Sequence, residues 1–437
     1  MKTKRTSGQQ GFIKGAVIIS LGSFLAKVVG AVSRIPLTEF LGAEGVGLYQ
    51  LAYPFYCLLL TVSSAGIPSG ISRIVAQAER EQKDAKAVFY TAFKLCFLLG
   101  MVGTFLMFLL RGVISNLQGE DLRICYIALC PSVFLVSVLS VFRGYFQGKC
   151  DMRPTAMSDF IEQTVKGLFG AVLAFIFRFN TLYAVTAVLA SVSLSEAWAV
   201  FFMLRRYRIA RGNKPLFYTA RPSYKKILSC TLPVAVAAAI LPLSQFIDSG
   251  LSVHLMRAYS EQAVALYGLY SGGAVTLVGL PVAICYGFAV SVIPRFGGQS
   301  GERGKVFKAL GVTLLVAIPC AVALFFFARQ LGAIFFRKLS EERLDILEML
   351  VRLMSFTAVT HACAQTLSAC LIGKGRAVVA ARNMGIAVAV KIMLTYFLVR
   401  NQNISVYGMA IAANVCYFLA FVLNLISNLT HRRKAKR

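Results

Sequence analysis

Residues 142–163 read FRGYFQGKCDMRPTAMSDFIEQ and form a short basic segment between two uncharged apolar stretches. Residues 133–141 lead into this segment, and residues 167–177 follow it. A weaker copy, CLIGKGRAVVAARN, occupies residues 370–383 in the second half of the chain. A hydrophobic chain that uses such a basic hinge twice is predicted to be a duplicated membrane protein.

The composition of the whole chain supports this prediction. Of its 437 residues, 57% are hydrophobic and only 15% are charged, and the mean hydropathy is +0.70. A soluble protein carries about 25% charged residues. The net charge of +28 would suit a nucleic-acid-binding protein. The positive residues are spread over loops between apolar runs, as membrane topology requires, so no nucleic-acid partner is expected.

Neither a metal site nor a catalytic set is recognisable in the sequence. Many of the 11 cysteines lie singly within apolar runs, and no C-x-x-C pair occurs, so we interpret them as small packing residues. Walker, nucleophile-elbow and H-E-x-x-H motifs are absent as well. We therefore expect a protein that is not an enzyme and that needs no metal or cofactor.

The apolar stretches predict about 12 membrane-spanning helices, each of roughly 20 residues or more. They cover residues 12–35, 46–72, 87–110, 122–146, 155–178, 181–204, 227–252, 263–294, 306–328, 346–372, 376–399 and 404–429. Lysine and arginine are concentrated in alternate loops, and the loops richer in them face the cytoplasm. Both termini are therefore predicted to be cytoplasmic. The first stretch is interpreted as a retained span rather than a cleaved signal peptide.

The longest basic loop, residues 205–226, lies in the middle of the chain. We interpret it as a cytoplasmic linker between an N-terminal lobe (1–204) and a C-terminal lobe (227–437) of six helices each. Both lobes would enter the membrane from the cytoplasm, so the repeat is parallel and its pseudo-two-fold axis follows the membrane normal. The predicted fold is an all-α polytopic membrane protein with a V-shaped central cavity.

Ionisable side chains inside a span are costly in lipid, so they usually face the bundle interior or water. Lys27 and Arg34 lie about two helical turns apart and share one face of the first predicted helix. Two cations on one face indicate a binding site for an anion. Glu196 is either a functional acid or a side chain hydrogen-bonded within its own lobe. Glu162 and Lys166, four residues apart, are predicted to pair along the fifth helix.

Polar residues of the second lobe form another candidate site. Asp248 and Lys391 are predicted to form a buried ion pair, or else Asp248 binds a coupling cation together with polar neighbours such as Asn383. An unpaired lysine at that depth would be very costly, which favours the ion pair. His361 in the tenth span is interpreted as a packing residue.

Short motifs in both halves carry a family resemblance. In the first half they are GVGLYQLAYP at residues 45–54, SAGIP at 64–68 and RGYFQG at 143–148. The second half agrees at residues 247–248, 266–268, 292–294 and 373–375. With these motifs the chain resembles the stage V sporulation protein B family. That family belongs to the multidrug/oligosaccharidyl-lipid/polysaccharide (MOP) exporter superfamily, which also contains the lipid II flippases.

This resemblance implies a flippase that moves an undecaprenyl-pyrophosphate-linked saccharide, a peptidoglycan or polysaccharide precursor, across the bacterial cytoplasmic membrane. Lys27 matches a basic position in lipid II flippases and Arg34 lies within one residue of another, so the resemblance assigns both to the pyrophosphate. A bidentate arginine suits that group. Arg143 would contact it at the cavity rim. The implied partners are membrane lipid, the lipid-linked saccharide, a coupling cation and cell-wall synthesis proteins.

The chain also departs from the lipid II flippases. Those proteins carry further cavity arginines in the second and eighth helices, whereas residues 48–71 and 266–292 here contain no charged residue. Two alternatives therefore stay open. One is a cation-coupled multidrug antiporter of the same superfamily, whose cavity would be dominated by Asp248 and Glu196. The other is a non-transporting membrane scaffold for cell-wall synthesis.

Overall fold

The computed structural model describes residues 29–30, 32–62, 67–81, 85–211, 224–292, 302–374 and 376–430. Every regular element in those ranges is helical. This confirms the predicted all-α class.

The helices follow one another in the order α1 (Arg34–Leu60), α2 (Ile67–Arg80), α3 (Ala85–Gln118), α4 (Arg123–Gly148), α5 (Arg153–Ile176), α6 (Thr181–Arg211), α7 (Tyr224–Arg257), α8 (Ala263–Tyr267), a π-helical segment (Gly268–Ala274), α9 (Val275–Val292), α10 (Glu302–Phe326), α11 (Ala328–Phe335), α12 (Glu341–Gly373), α13 (Ala377–Arg400) and α14 (Tyr407–Leu429).

Within the described ranges, nine helices are long and apolar enough to cross a membrane. Each predicted span from 87–110 onward corresponds to one helix, except that 263–294 is built from α8, the π-helical segment and α9. Helix α5 has the length of a span, but Asp159, Glu162 and Lys166 make it more polar than the nine. The chain is therefore a multi-pass membrane protein, consistent with about 12 spans.

The structure corrects the start of the chain. Residues 12–28 of the first predicted span lie outside the described residues. The loop predicted at residues 36–45 is helical, because α1 continues through it with one break at Gly42, where φ is 65° and ψ is −177°. Only glycine adopts these angles readily, so it bends the helix without ending it. Glu39, which lies in that predicted loop, is within α1, and the second predicted span is divided between α1 and α2.

Two elements were not predicted from the sequence. Helix α11 is a short helix tied to α12 by Arg329, whose guanidinium lies 2.5 Å from Asp345 and 3.0 Å from Glu348. The π-helical segment is rich in glycine. A Cβ added at Gly268 or Gly272 would collide with the α1 segment 41–51, so these glycines let the two backbones approach closely.

The chain forms two compact units. Unit 1 comprises Met1–Phe40 and Ala52–Leu243, and unit 2 comprises Leu41–Leu51 and Ser244–Arg437. In unit 1, α4 packs against α2, α3 and α6, and α5 packs against α6. In unit 2, α12 packs against α9, α10, α11 and α14, and α14 packs against α13. The lobes predicted at 1–204 and 227–437 and the linker at 205–226 stay a prediction.

The basic segment at residues 142–163 contains a tight turn between α4 and α5. Lys149 follows α4 with φ −81° and ψ 4°, and Cys150 is left-handed with φ 60°. In unit 2, Lys374 follows α12 with almost the same angles, φ −84° and ψ 5°. Each lysine also reaches a further helix: Lys149 lies 3.4 Å from Glu79 of α2, and Lys374 donates to Asn428 of α14 at 3.0 Å. The weak sequence repeat is thus also a repeat of local geometry.

Lys149 keeps its charge in this turn. Partial burial lowers its pKa, but the Tyr145 side chain and the Glu79 carboxylate outweigh that effect, and the pKa is raised overall.

Near the C-terminal ends of α3 and α5, arginines lie over aromatic rings. The guanidinium of Arg111 in α3 is 3.9 Å from the Phe108 ring centroid. Arg178, just after α5, is 4.5 Å from the Phe175 ring and 5.0 Å from the Phe179 ring. Side chains of this kind cover apolar surface while the charge reaches the membrane interface.

Two glycines of the RGYFQG run fix α4 against α2. Gly144 and Gly148 lie four residues apart and share one face of α4. A Cβ at Gly144 would lie 2.8 Å from Cβ of Ile71, and one at Gly148 would lie 2.5 Å from Cβ of Val75. Because Ile71 and Val75 are also four residues apart, the helices touch over a full turn through small residues.

Gly148→Ala is expected to destabilise the protein, because the added methyl group would occupy the space of Val75, and overpacking costs about 1–3 kcal/mol. Gly112→Ala in α3 is the matched control, since nothing lies within 4 Å of an added Cβ there. That change should be neutral or stabilising by up to about 1 kcal/mol. Thermal unfolding of both purified variants in detergent measures the difference, and equal midpoints would contradict the close packing.

Candidate functional site

Arg143 is the centre of a polar cluster in unit 1. Its Nη2 atom lies 2.8 Å from Asp159 Oδ1 and 3.0 Å from Glu162 Oε2, and its Nε donates to Ser158 Oγ at 3.1 Å. The two carboxylates share one face of α5 because they are three residues apart. The Arg143 side chain is only 18% exposed, so these charge-assisted bonds form with little competing water. A substrate anion at Arg143 would have to compete with two carboxylates.

A second cationic position in unit 1 combines Arg34 and Lys166. Lys166 lies one turn after Glu162 on α5, and Arg34, Glu162 and Glu196 all interact with it electrostatically. The direct partner of Glu162 is Arg143, on another helix, rather than Lys166. Lys166 is therefore a cation next to Arg34. The sequence analysis missed this neighbour, because the four-residue spacing suggested that Lys166 pairs with Glu162. Lys27 lies outside the described residues.

Glu196 hydrogen-bonds within unit 1, as one of the two sequence interpretations expected. It lies on α6 and is 1% exposed. Tyr56 of α1 donates its hydroxyl to Glu196 Oε1 at 2.5 Å, and Ser132 of α4 contacts Oε2. Ser132 Oγ also lies 2.9 Å from the Tyr56 hydroxyl. The carboxyl group is thus enclosed by two hydroxyls in a closed ring of contacts.

In unit 2 the structure brings Asp248 and Lys391 together. Lys391 Nζ contacts Asp248 Oδ2, and the two side chains are 12% and 6% exposed. Ser244 Oγ donates to the same carboxylate oxygen at 3.3 Å. Of the two predicted arrangements, the structure contains the buried ion pair, and a coupling role for it stays a prediction.

The ion pair lies on a polar seam between α7 and α13. Beyond the end of α7, the Tyr259 hydroxyl donates to the carbonyl of Val399 at 2.7 Å. Tyr259 follows Asp248 in the sequence and Val399 follows Lys391. The two helices therefore run in the same direction. Ser252 and Thr395 each lie one turn after a member of the pair. Their hydroxyls and the second oxygen of Asp248 are buried and have no hydrogen-bond partner among the described residues.

Asn383 is not brought together with the pair. It lies on α13 about 12 Å before Lys391 along the helix axis, and its amide donates to Asn424 Oδ1 and Ser427 Oγ, each at 3.0 Å. Asn424 in turn donates to Ser368 Oγ at 2.9 Å. This neutral network joins α12, α13 and α14, so the structure uses Asn383 in helix packing.

Metal-binding chemistry has little support in the part of the chain that the structure describes. There, no group of three or more histidine, cysteine, aspartate or glutamate side chains could hold a metal ion. His361 stacks on Tyr417, with ring centroids 3.9 Å apart, and its Nε2 lies 3.0 Å from the Gln365 amide. These contacts agree with its interpretation as a packing residue.

Removing one partner of the Asp248–Lys391 pair should destabilise the protein by about 3–5 kcal/mol, because a buried charge is left unpaired. Asp248→Asn and Lys391→Gln test this singly, and the double variant, which is neutral, should recover most of the loss. Arg123→Gln is the control, since the Arg123–Asp121 pair is 55% and 73% exposed and such pairs contribute about 0–1 kcal/mol. Thermal unfolding supplies the double-mutant cycle, and a double variant as unstable as the sum of the singles would refute the pairing.

Comparison with known families extends the sequence resemblance. The family model described as polysaccharide biosynthesis protein matches residues 12–299. A second model, MatE, matches residues 233–397.

Two curated relatives come from Bacillus subtilis (strain 168). Stage V sporulation protein B is 29% identical over 343 residues, which cover 74% of this chain and 66% of the relative. Lipid II flippase MurJ is 25% identical over 348 residues, which cover 71% of this chain and 63% of the relative. The chain thus spans slightly less than two thirds of the length of each of these relatives.

Among solved structures, an inward-facing multidrug resistance transporter of the MATE family and MOP superfamily is similar, with a TM-score of 0.71 at 16% identity. The match covers 92% of this chain and 93% of the transporter, and it shows a shared fold. Since the first family model also covers more than half of the chain, this multi-pass membrane protein, with the fold of the MOP superfamily, belongs to the polysaccharide biosynthesis protein family.

Proposed function

We propose that this protein is a flippase that moves an undecaprenyl-pyrophosphate-linked saccharide across the bacterial cytoplasmic membrane by alternating access. The chain would act as a transporter rather than an enzyme, with both termini in the cytoplasm. Relatives named stage V sporulation protein B and lipid II flippase support the assignment. The saccharide would be a peptidoglycan or polysaccharide precursor.

The observation that carries this proposal is the group of cations inside unit 1. Arg34 and Lys166 are electrostatic neighbours on different helices, near the carboxyl groups of Glu162 and Glu196, in a bundle whose outer surface is apolar. Cations are costly at such depth and usually mark a substrate pathway. A pyrophosphate would offset their repulsion, and guanidinium binds it in bidentate geometry. Lys27 joins them in this proposal, while Arg143 would contact the anion only by exchanging one of its carboxylate partners.

The outer surface of unit 1 suits a substrate whose lipid tail stays in the bilayer. Helix α3 exposes large apolar side chains along its length, including Leu98, Phe105 and Leu109, and α5 does the same with Leu168. The polar headgroup would cross among the cations while the tail moves through lipid. Moving net charge across the membrane is worth about 2.3 kcal/mol per unit charge per 100 mV, so a membrane potential or a cation gradient could supply the energy.

In unit 2 we propose that Asp248 and Lys391 serve the conformational cycle. The ion pair uses one carboxylate oxygen, and the second oxygen lies in the seam with Ser252 and Thr395. Release of Lys391 would leave oxygen ligands that suit a small cation. Asn383 would take part only through its helix, since its amide is bonded to α14.

A cation-coupled multidrug antiporter is the second candidate. The MatE match over residues 233–397 and the buried Glu196 favour it. Such a substrate is cationic and would bind acidic rather than basic side chains. The two candidates therefore make opposite predictions for Arg34: its loss should weaken transport of an anion and should not weaken transport of a cation.

The deciding experiment is a flipping assay in liposomes with lipid II and other lipid-linked saccharides. Lys27→Ala and Arg34→Ala should each slow flipping roughly tenfold or more, because a hydrogen bond to a charged group is worth about 1.5–3 kcal/mol. Arg178→Ala is the control, since this arginine lies over exposed aromatic rings at the end of α5, and it should flip at the wild-type rate. Undiminished flipping in both cation variants would reject the pyrophosphate site, and transport of amphipathic cations alone would favour the antiporter.

A further inference from the structure

Glu196 occupies an unusual environment for a carboxyl group. It is almost fully buried in unit 1, and no cation of the described ranges lies within ion-pair distance of it, although Lys166 interacts with it at longer range. Its direct partners are the hydroxyls of Tyr56 and Ser132. An ionised carboxylate so placed would be strongly disfavoured, because a buried charge loses its hydration and no paired cation compensates for the loss.

The number of protons available to the ring of contacts decides whether Glu196 is ionised or protonated. Three contacts join Glu196, Ser132 and Tyr56, but the two hydroxyls supply only two protons. With an ionised Glu196, both hydroxyls donate to the carboxylate, and the 2.9 Å contact between Ser132 and Tyr56 has no proton. With a protonated Glu196, Oε2–H donates to Ser132, Ser132 donates to Tyr56, and Tyr56 donates to Oε1. Only the protonated acid satisfies every contact.

The groups that face Glu196 connect this proton to the cationic site. Tyr53 and Cys57 lie on the same helix as Tyr56 and interact electrostatically with members of the ring. The remaining charges nearby are three cations and two further carboxylates, namely Arg34, Arg143, Lys166, Asp159 and Glu162. Among these described side chains the net charge is +1 when Glu196 is protonated and zero when it is ionised. Protonation of one carboxyl therefore decides whether the cluster has a net positive charge to offer an anion.

We propose that Glu196 is a proton-binding site and that the protein must hold this proton to bind the anionic group of the substrate. The proton comes from water and adds to the carboxylate to give the neutral acid. The cluster then holds the pyrophosphate against a net positive charge, and loss of the proton weakens that hold and favours release. This inference rests on the proposed function for the identity of the anion, but the proton site itself can be tested without transport.

Infrared difference spectroscopy of the purified protein tests the proton site directly. The wild type should show the carbonyl stretch of a protonated carboxylic acid at neutral pH, and Glu196→Gln should lack it. Glu120→Gln is the matched control in unit 1, because Ser115 bonds to the backbone carbonyl of Glu120, which this change leaves in place. A wild-type spectrum without the band, or a band that persists in Glu196→Gln, would overturn the proposal.

Binding of inorganic pyrophosphate, and separately of undecaprenyl pyrophosphate in nanodiscs, tests the coupling over a pH series. If Glu196 must be protonated for the anion to bind, the affinity of wild type relative to Glu196→Gln should stay constant while the carboxylic-acid band persists. Above the pH at which that band is lost, this relative affinity should fall by up to about tenfold per pH unit, since one pH unit corresponds to one tenfold change in protonation. Glu196→Gln mimics the protonated acid and should not show this fall, so the pH dependence that remains in the variant is that of the pyrophosphate group itself. Tyr56→Phe breaks the ring but keeps the acid, so the dependence should persist with its midpoint moved to another pH.

These measurements separate the inference from the proposed function. A carboxylic-acid band and a pH-dependent affinity, in a protein that flips no lipid-linked saccharide, would leave the proton site standing and reject the flippase. Flipping that depends on Arg34, combined with the same pH profile in wild type and Glu196→Gln, would leave the flippase standing and reject the coupling. Binding of the lipid form alone would show that the site requires the lipid tail, and binding of both forms would show that pyrophosphate is sufficient.

Discussion

Water is absent from the interior of a bilayer, so a buried ionisable side chain in these helices, like a backbone amide, needs partners supplied by the protein. The backbone meets this requirement within each helix, and the side chains meet it in different ways. Arg143 is matched by two carboxylates, Lys391 by one, and Glu196 by two hydroxyls. The Arg143 group has a net negative charge, and the Lys391–Asp248 pair is neutral. Glu196 is neutral when it holds a proton. The net charge of the cluster in unit 1 therefore depends on whether Glu196 holds a proton, whereas the charges of the ion pair in unit 2 cancel.

The neutral polar networks have a different character. Asn383, Asn424 and Asn428 link three helices of unit 2 through amide groups that both donate and accept. Such contacts fix the relative rotation of packed helices and carry no net charge. The contrast explains why polarity alone does not identify a functional site in a membrane protein: the informative residues are those whose charge the surrounding helices leave unbalanced.

Much of the fold could be predicted from the sequence because the bilayer restricts spanning segments to long apolar helices. The spanning helices from α3 onward follow from that rule, whereas the short helix α11 and the π-helical segment do not. The structure of residues 36–45, between the first two predicted spans, could not be predicted correctly. A glycine usually interrupts a helix, whereas Gly42 only bends α1. The candidate site was less predictable. The ion pair of Asp248 and Lys391 joins residues 143 positions apart, and it could be suspected only because a lysine in lipid needs a counter-charge. The partner of Glu162 was missed, because spacing along one helix favours Lys166 while tertiary packing supplies Arg143.

The arginines that lie over aromatic rings have a consequence for the lipid environment. On α3, Lys86 and Arg111 are about 38 Å apart along the helix axis, with Lys94 between them near the Lys86 end. Arg153 of α5 and Arg178, just after α5, are separated by the same number of residues. A hydrocarbon core of about 30 Å with part of each headgroup layer fits between such charges. The arginines over aromatic rings at one end of these helices, with Lys86 and Arg153 at the other, therefore favour a similar bilayer thickness for both. In a thinner or thicker membrane these helices would have to tilt or the lipid would have to deform, so the depth of the buried cations in the membrane is tied to lipid chain length.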